Sequence, residues 1–264
     1  MIKLINEDPF VIFKMPNPLS VSESNDLRDL ISRTQMTNLD TSGGKTSLPH
    51  GEKNSIAIIN KSNALKNLLK FLSSQNTFYQ ISKLLKNDLD SDFNNYKIIS
   101  SNPLINFLNF YLKKLKPIRL NVEFSVMPNG AYIPPHTDSR NKLITFLLYL
   151  PTKEQSNQKN LGTVFFNQSF EKRDRYKNFN NEPITKKFPA FYEHSEIIYS
   201  TDFNHHDLYG FIKNAYSWHG VEKLDLPDES DRISVNINFY KTNKTIFGGL
   251  TMKLKNFLKL LFRE

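Results

Sequence analysis

In the stretch Tyr132-Ile-Pro-Pro-His136-Thr-Asp138-Ser139 an imidazole and a carboxylate stand two positions apart at the edge of a strand-like region. Residues i and i+2 of an extended backbone point to the same face, so His136 and Asp138 can grip one ion. A third ligand must come from elsewhere. The best candidate is His219, in Asn214-Ala-Tyr-Ser-Trp-His219-Gly-Val221, a compact strand-like segment carrying the one Trp of the chain. Two histidines and a carboxylate leave three adjacent coordination positions open, which suits a non-haem Fe(II) that holds a cosubstrate and oxygen together. The chain has no Cys, which excludes disulfides and thiolate sites, so any metal takes N and O ligands.

Further on, Asp231-Arg232-Ile-Ser234-Val-Asn236-Ile-Asn238-Phe239-Tyr240 alternates, putting Arg232, Ser234, Asn236 and Asn238 on one face and apolar side chains on the other. This is a strand with a cation at its mouth. A guanidinium is a planar fork that meets a carboxylate in two parallel hydrogen bonds, which a Lys point charge cannot copy. His136-Thr-Asp138, Leu143-Ile-Thr-Phe-Leu-Leu-Tyr149-Leu150, Gly162-Thr-Val-Phe-Phe166, Trp218-His219-Gly-Val221 and Arg232-Ile-Ser234 follow one another in an order and rough spacing that resembles the Fe(II)- and 2-oxoglutarate-dependent oxygenase superfamily, in its prolyl-4-hydroxylase-like branch.

The resemblance implies that His136, Asp138 and His219 hold Fe(II) and that Arg232, Ser234 and Tyr149 hold the distal carboxylate of the cosubstrate 2-oxoglutarate. With O2 the products would be succinate, carbon dioxide and a hydroxylated substrate. Asp138 bears on the outcome, since halogenating relatives leave that position empty for chloride. Met127 falls near a place where such relatives carry a Tyr, and the spacing from His219 to Arg232 is long for the family. The plainer reading of the two histidines is ordinary hydrogen-bonded side chains, and of Asp138 a turn residue. His205-His206-Asp207 is a rival cluster, but adjacent residues on a strand face opposite ways, so a polar strand start is the better reading. His50 and His194 read as surface residues, and Trp218 as packing that also orients its metal-ligating neighbour.

The elements that must position these groups divide the chain in two. The first 118 residues read as mainly helical support. Pro9 to Phe13 is an apolar run for an outer strand, and Ser20 to Asp26 supplies caps for a helix to about Ile31. Thr34 to Asn54 is a mobile loop, and Ser62 or Asn63 caps a helix bearing Leu65, Leu68, Leu69 and Leu72. Ile81, Leu84 and Leu85 mark another helix, and Asn102-Pro103 opens a further one. From Arg119 the period turns to two, in Leu120, Val122, Phe124 and Val126, and short strands follow to about Tyr240. The expected fold is mainly β with helical support (α+β), and the resemblance names the core over residues 119–243 a double-stranded β-helix, or jelly roll. Residues 167–194 read as an inserted binding loop or lid. Residues 249–263 read as an amphipathic basic helix, which the packing of terminal helices assigns to the core ahead of a membrane surface. One oxygenase domain over residues 1–264 is expected.

The formal charge of +9 comes from scattered Lys among many Asn, which reads as a solvated surface ahead of a basic patch. The start of the chain lacks the features of a signal peptide, and no apolar run spans a bilayer, so a cytoplasmic protein is expected. The substrate expectation is a small anionic metabolite, sugar or glycan. A protein prolyl hydroxylase is the alternative, with a nucleic-acid demethylase or a non-catalytic jelly-roll binding module ranked lower. The demethylase branch is disfavoured because Asn238 stands where it carries a second Arg.

Overall fold

The computed structural model describes residues 2–39, 43–83, 96–98, 116–156, 158–168 and 195–242. The expected helix after Pro103, most of the insertion at 167–194 and the C-terminal helix lie outside them.

The N-terminal part alternates strands and helices: β1 (Lys3–Asn6), β2 (Ile12–Pro16), α1 (Val21–Ser32), β3 (Asn38–Leu39), β4 (Thr46–Leu48), α2 (Lys53–Lys61), α3 (Asn63–Leu72), α4 (Gln75–Ser82) and β5 (Tyr96–Ile98). α1 begins where Ser20 and Glu23 form a reciprocal capping box, and α3 begins where the Ser62 hydroxyl accepts from the Leu65 amide. Among the described residues the remainder is strand apart from one 3-10 turn at Lys159–Leu161: β6 (Lys116–Met127), β7 (Ile133–His136), β8 (Lys142–Tyr149), β9 (Val164–Gln168), β10 (Ser195–Ser200), β11 (Asp207–Ile212), β12 (Trp218–Val221) and β13 (Arg232–Lys241).

Among the described residues these strands form two sheets. The larger runs β1-β2-β11-β8-β13-β6-β4-β3, with β5 added beside β6, and the smaller runs β10-β9-β12-β7. All pairings are antiparallel except β5 with β6. Two of the expectations for the N-terminal part change. The Pro9–Phe13 run feeds β2, which lies inside the sheet between β1 and β11. The 34–54 stretch is a β3–β4 hairpin added to β6, followed by the start of α2; its polar composition hid strand pairing supplied by a partner far away in sequence. The first 118 residues therefore contribute strands as well as helices.

Both faces of the larger sheet are covered, which is why β8 reads as a nearly unbroken apolar run. On one face Phe124, Phe146, Val235 and Phe239 pack with Leu27 and Ile31 of α1, Ile58 of α2 and Leu65, Leu68 and Leu72 of α3. Each such leucine or phenylalanine removed from water contributes about 1.5–3 kcal/mol. On the other face Ile12, Met127, Leu147, Tyr149, Tyr209 and Phe211 meet Phe165 of β9 and Val221 of β12. The Phe165 and Phe211 rings stack edge-on at 5.3 Å between the two sheets. The polar side chains of β13 share that second face, so the sheets enclose them.

At one edge of the smaller sheet β12 lies so close to β7 that a Cβ on Gly220 would stand 2.7 Å from the Ile133 carbonyl oxygen. Gly220→Ala should therefore force the two strands apart and cost about 1–3 kcal/mol of stability. Urea unfolding measures the cost, and a midpoint equal to the parent's would mean that this edge is free to shift.

Candidate functional site

β7 holds Pro134 and Pro135, which lack amide hydrogens, and proline is tolerated in a sheet only where no partner needs them. β7 is accordingly an edge strand, paired on one side with β12 in a register that sets His136 opposite His219. Their rings lie 4.4 Å apart between centroids. Asp138, two residues past His136, turns into the same space, and one ligand atom from each of the three side chains falls within 4.8 Å of the others. It is the one such cluster among the described residues, and it joins the residues that the sequence singled out.

The tautomers are fixed by the backbone. His136 Nδ1 is 2.9 Å from the Pro134 carbonyl oxygen, and His219 Nδ1 is 2.9 Å from that of Ser217. A carbonyl only accepts, so Nδ1 carries the proton in both rings and each Nε2 presents a lone pair. Burial pushes both imidazoles down, with His219 at about 3, helped by the neighbouring His136. Burial alone would raise Asp138, but His219 and the Lys142 ammonium outweigh it and hold the carboxyl at about 2. Near neutral pH the cluster is two neutral imidazoles and one carboxylate, the protonation state a divalent cation requires.

Around this cluster the structure adds residues that the sequence reading missed. Lys142 Nζ donates to Asp138 Oδ1 at 2.6 Å, while Asp138 Oδ2 lies 3.9 Å from His219 Nε2 and 3.2 Å from the Thr145 hydroxyl. Oδ1 is thus occupied and Oδ2 is the oxygen turned toward the histidines. Thr145 was legible, since strand alternation places it on the face of Tyr149. Lys142 was not, because it reaches Asp138 around a turn that carries no pattern.

The same cavity, about 150 Å³ and roomy enough for on the order of ten waters, is lined also by Arg232, Ser234, Tyr149 and Thr163. Arg232 is 2 % exposed, and no carboxylate of the described residues pairs with it. Its Nε donates to the Leu161 carbonyl; Nη1 approaches Met127 Sδ at 3.5 Å and Ser234 Oγ at 3.4 Å. Its guanidinium lies over the rings of Phe203 and Tyr149, at 5.0 and 5.4 Å from their centroids. The Tyr149 hydroxyl sits among Thr163 Oγ1 and Thr201 Oγ1, each at 2.8 Å, and the Thr163 amide. The rival His205-His206-Asp207 is no metal cluster: Asp207 begins β11 and is held by Lys14.

No protein-family model matches this chain, and no curated protein matches it. Solved structures resemble it distantly. A prolyl-4-hydroxylase of Pseudomonas putida is 11% identical, over 89% of this chain and 95% of that one, with a TM-score of 0.44. HygX from Streptomyces hygroscopicus, with nickel and 2-oxoglutarate bound, is 12% identical over 89% of this chain and 84% of that one, with a TM-score of 0.47. The viral collagen prolyl hydroxylase vCPH from Paramecium Bursaria Chlorella virus-1, in its 2OG complex, is 13% identical over 88% and 96% respectively, at 0.39. Likeness of that degree carries none of their chemistry across to this chain. No helix among the described residues is long and apolar enough to cross a membrane.

The lowered histidines give the metal-free protein a defined pH response. Between each folded value and the ordinary 6.5 the unfolded chain binds more protons, so stability falls as pH drops below about 6.5, by up to about 1.4 kcal/mol per unit for each histidine. For His219 the loss continues to about 3; Asp138 adds its own, from its ordinary 3.8 down to about 2. Urea titrations of metal-free protein at pH 7 and pH 5 check this, and equal stabilities would place both imidazoles in water.

Proposed function

We propose that the chain is an Fe(II)- and 2-oxoglutarate-dependent dioxygenase that hydroxylates a small substrate, built on a double-stranded β-helix. The observation that carries this is the pairing, in one cavity, of a two-histidine, one-carboxylate cluster with a buried guanidinium that no carboxylate of the described residues meets. A charge taken out of water costs several kcal/mol unless an opposite charge meets it. Arg232 therefore calls for an anion, and a keto acid able to chelate a metal at one end and meet Arg232 at the other satisfies both sites at once.

Under this reading His136 and His219 bind the metal through Nε2 and Asp138 through Oδ2, with Lys142 holding Asp138 to one ligating oxygen. Arg232 and Ser234 hold the distal carboxylate. Tyr149 supports the guanidinium with its ring, and its hydroxyl can turn its proton to the same carboxylate while it accepts from the Thr163 amide. Bound together, Fe(II) and 2-oxoglutarate supply the oxidising power to hydroxylate a C–H bond with O2, releasing succinate and carbon dioxide. The rest of the chain's work is to position the groups and keep water out.

Under anaerobic conditions, Fe(II) and 2-oxoglutarate added to the protein should give the weak visible charge-transfer band of a keto-acid chelate, and His219→Ala should abolish it. A variant that binds iron as tightly as the parent would remove His219 from the ligand set.

Arg232→Lys separates cosubstrate from metal. Losing a charge-assisted bond of about 1.5–3 kcal/mol should weaken 2-oxoglutarate ten- to a hundredfold, with metal affinity nearly unchanged. Titration of the metal-loaded variant reads this directly; an unchanged dissociation constant would move the clamp elsewhere.

A further inference from the structure

One wall of the cavity carries polar groups that neither the metal cluster nor the Arg232 clamp uses. Ser125 lies on β6 opposite Ser234 of β13, and one step along the same face Glu123 lies opposite Asn236. All four line the cavity, and so does Lys45, which reaches in from just before β4. Ser125 is 1 % exposed, yet its Oγ has no hydrogen-bond partner. The Asn236 carboxamide likewise makes no hydrogen bond with the described residues. A buried hydroxyl left unpaired costs about 1–3 kcal/mol, so in this cavity the Ser125 hydroxyl is open to a polar group of a bound molecule, which would take the place of water there.

Charge on this wall is balanced. Lys45 donates to Glu123, and the pair leaves the second carboxylate oxygen and two ammonium hydrogens for other partners. Hydroxyl, carboxamide, carboxylate and ammonium together offer donors and acceptors in similar number with no net charge. An anionic group here would meet Glu123 at a cost, and an apolar ring would leave Ser125 and Asn236 unpaired. A compound whose hydroxyls both donate and accept satisfies every group.

We propose that Ser125, Asn236 and the Lys45–Glu123 pair form the substrate subsite, and that its substrate is a polyhydroxylated small molecule of no net charge, of the sugar or cyclitol class. This rests on the reading of the cavity given above. It also narrows the expectation drawn from the sequence, since the anionic members of that set are disfavoured by Glu123.

The test uses protein loaded with Zn(II) and 2-oxoglutarate, which binds without turnover, and saturation-transfer NMR. The probes are glucose, myo-inositol, glucose 6-phosphate and a short proline-rich peptide, each also titrated without 2-oxoglutarate. The neutral polyols should bind, and the phosphate ester should bind at least tenfold more weakly. Ser125→Ala and Asn236→Ala should each raise the polyol dissociation constant about fivefold, the worth of one neutral hydrogen bond, and leave that of 2-oxoglutarate unchanged. The unchanged cosubstrate affinity also shows that the variants are folded. The subsite is overturned if no polyol binds, if the phosphate ester or the peptide binds more tightly, or if Ser125→Ala weakens 2-oxoglutarate. Failure of 2-oxoglutarate to bind the parent would sink the oxygenase reading instead, with the polyol titrations made without it still deciding the subsite.

Discussion

A guanidinium held out of water is the demand around which this cavity is built. Arg232 begins β13, the strand with neighbours on both sides near the middle of the larger sheet, and its side chain lies between the two sheets where solvent cannot reach. What the described residues provide is partial: one carbonyl, a thioether, a hydroxyl and two aromatic faces. Such contacts orient a cation without neutralising it. At the other cluster the imbalance is reversed, since two neutral imidazoles and a carboxylate present lone pairs to one another. Each half lacks what a different kind of ligand would bring, and the strand register of the two sheets is what sets the halves in a single space.

The sequence made the site more legible than the frame. His136, Asp138, His219, Arg232 and Ser234 were readable because strand alternation and short spacings survive translation into space: i and i+2 share a face whatever the rest of the sheet does. Thr145 follows the same rule. Lys45 and Glu123 were hidden for a different reason. Glu123 sits in an alternating strand, but its partner comes from a hairpin whose Gly and polar residues read as a loop, and that hairpin exists because β6 offers it an edge. Long-range pairing of this kind leaves no local trace. For the same reason the first third of the chain shows its helices clearly, through capping residues and leucine spacing, and the Pro9–Phe13 run marks β2, while β3 and β4 pass for a loop.

The aspartate deserves comparison with the histidines. All three side chains are oriented by a second group, but the histidines use backbone carbonyls of their own segments, two residues back, and Asp138 uses two side chains of β8. The imidazole orientations therefore follow from local chain geometry. The carboxylate orientation depends on the packing of Lys142 and Thr145, and so on the larger sheet. The cluster is thereby tied to both sheets at once.

The proline pair beside His136 has a consequence for the protein as a solute. An edge strand ordinarily displays amide hydrogens that a second chain can pair with. Successive residues of a strand point their backbone nitrogens to opposite sides, so one proline of the Pro134–Pro135 pair removes such a donor from the open edge of β7, and the strand that carries His136 offers a poorer template for intermolecular sheet extension. Crowding of partly unfolded copies would then find its sticky edges elsewhere on the molecule.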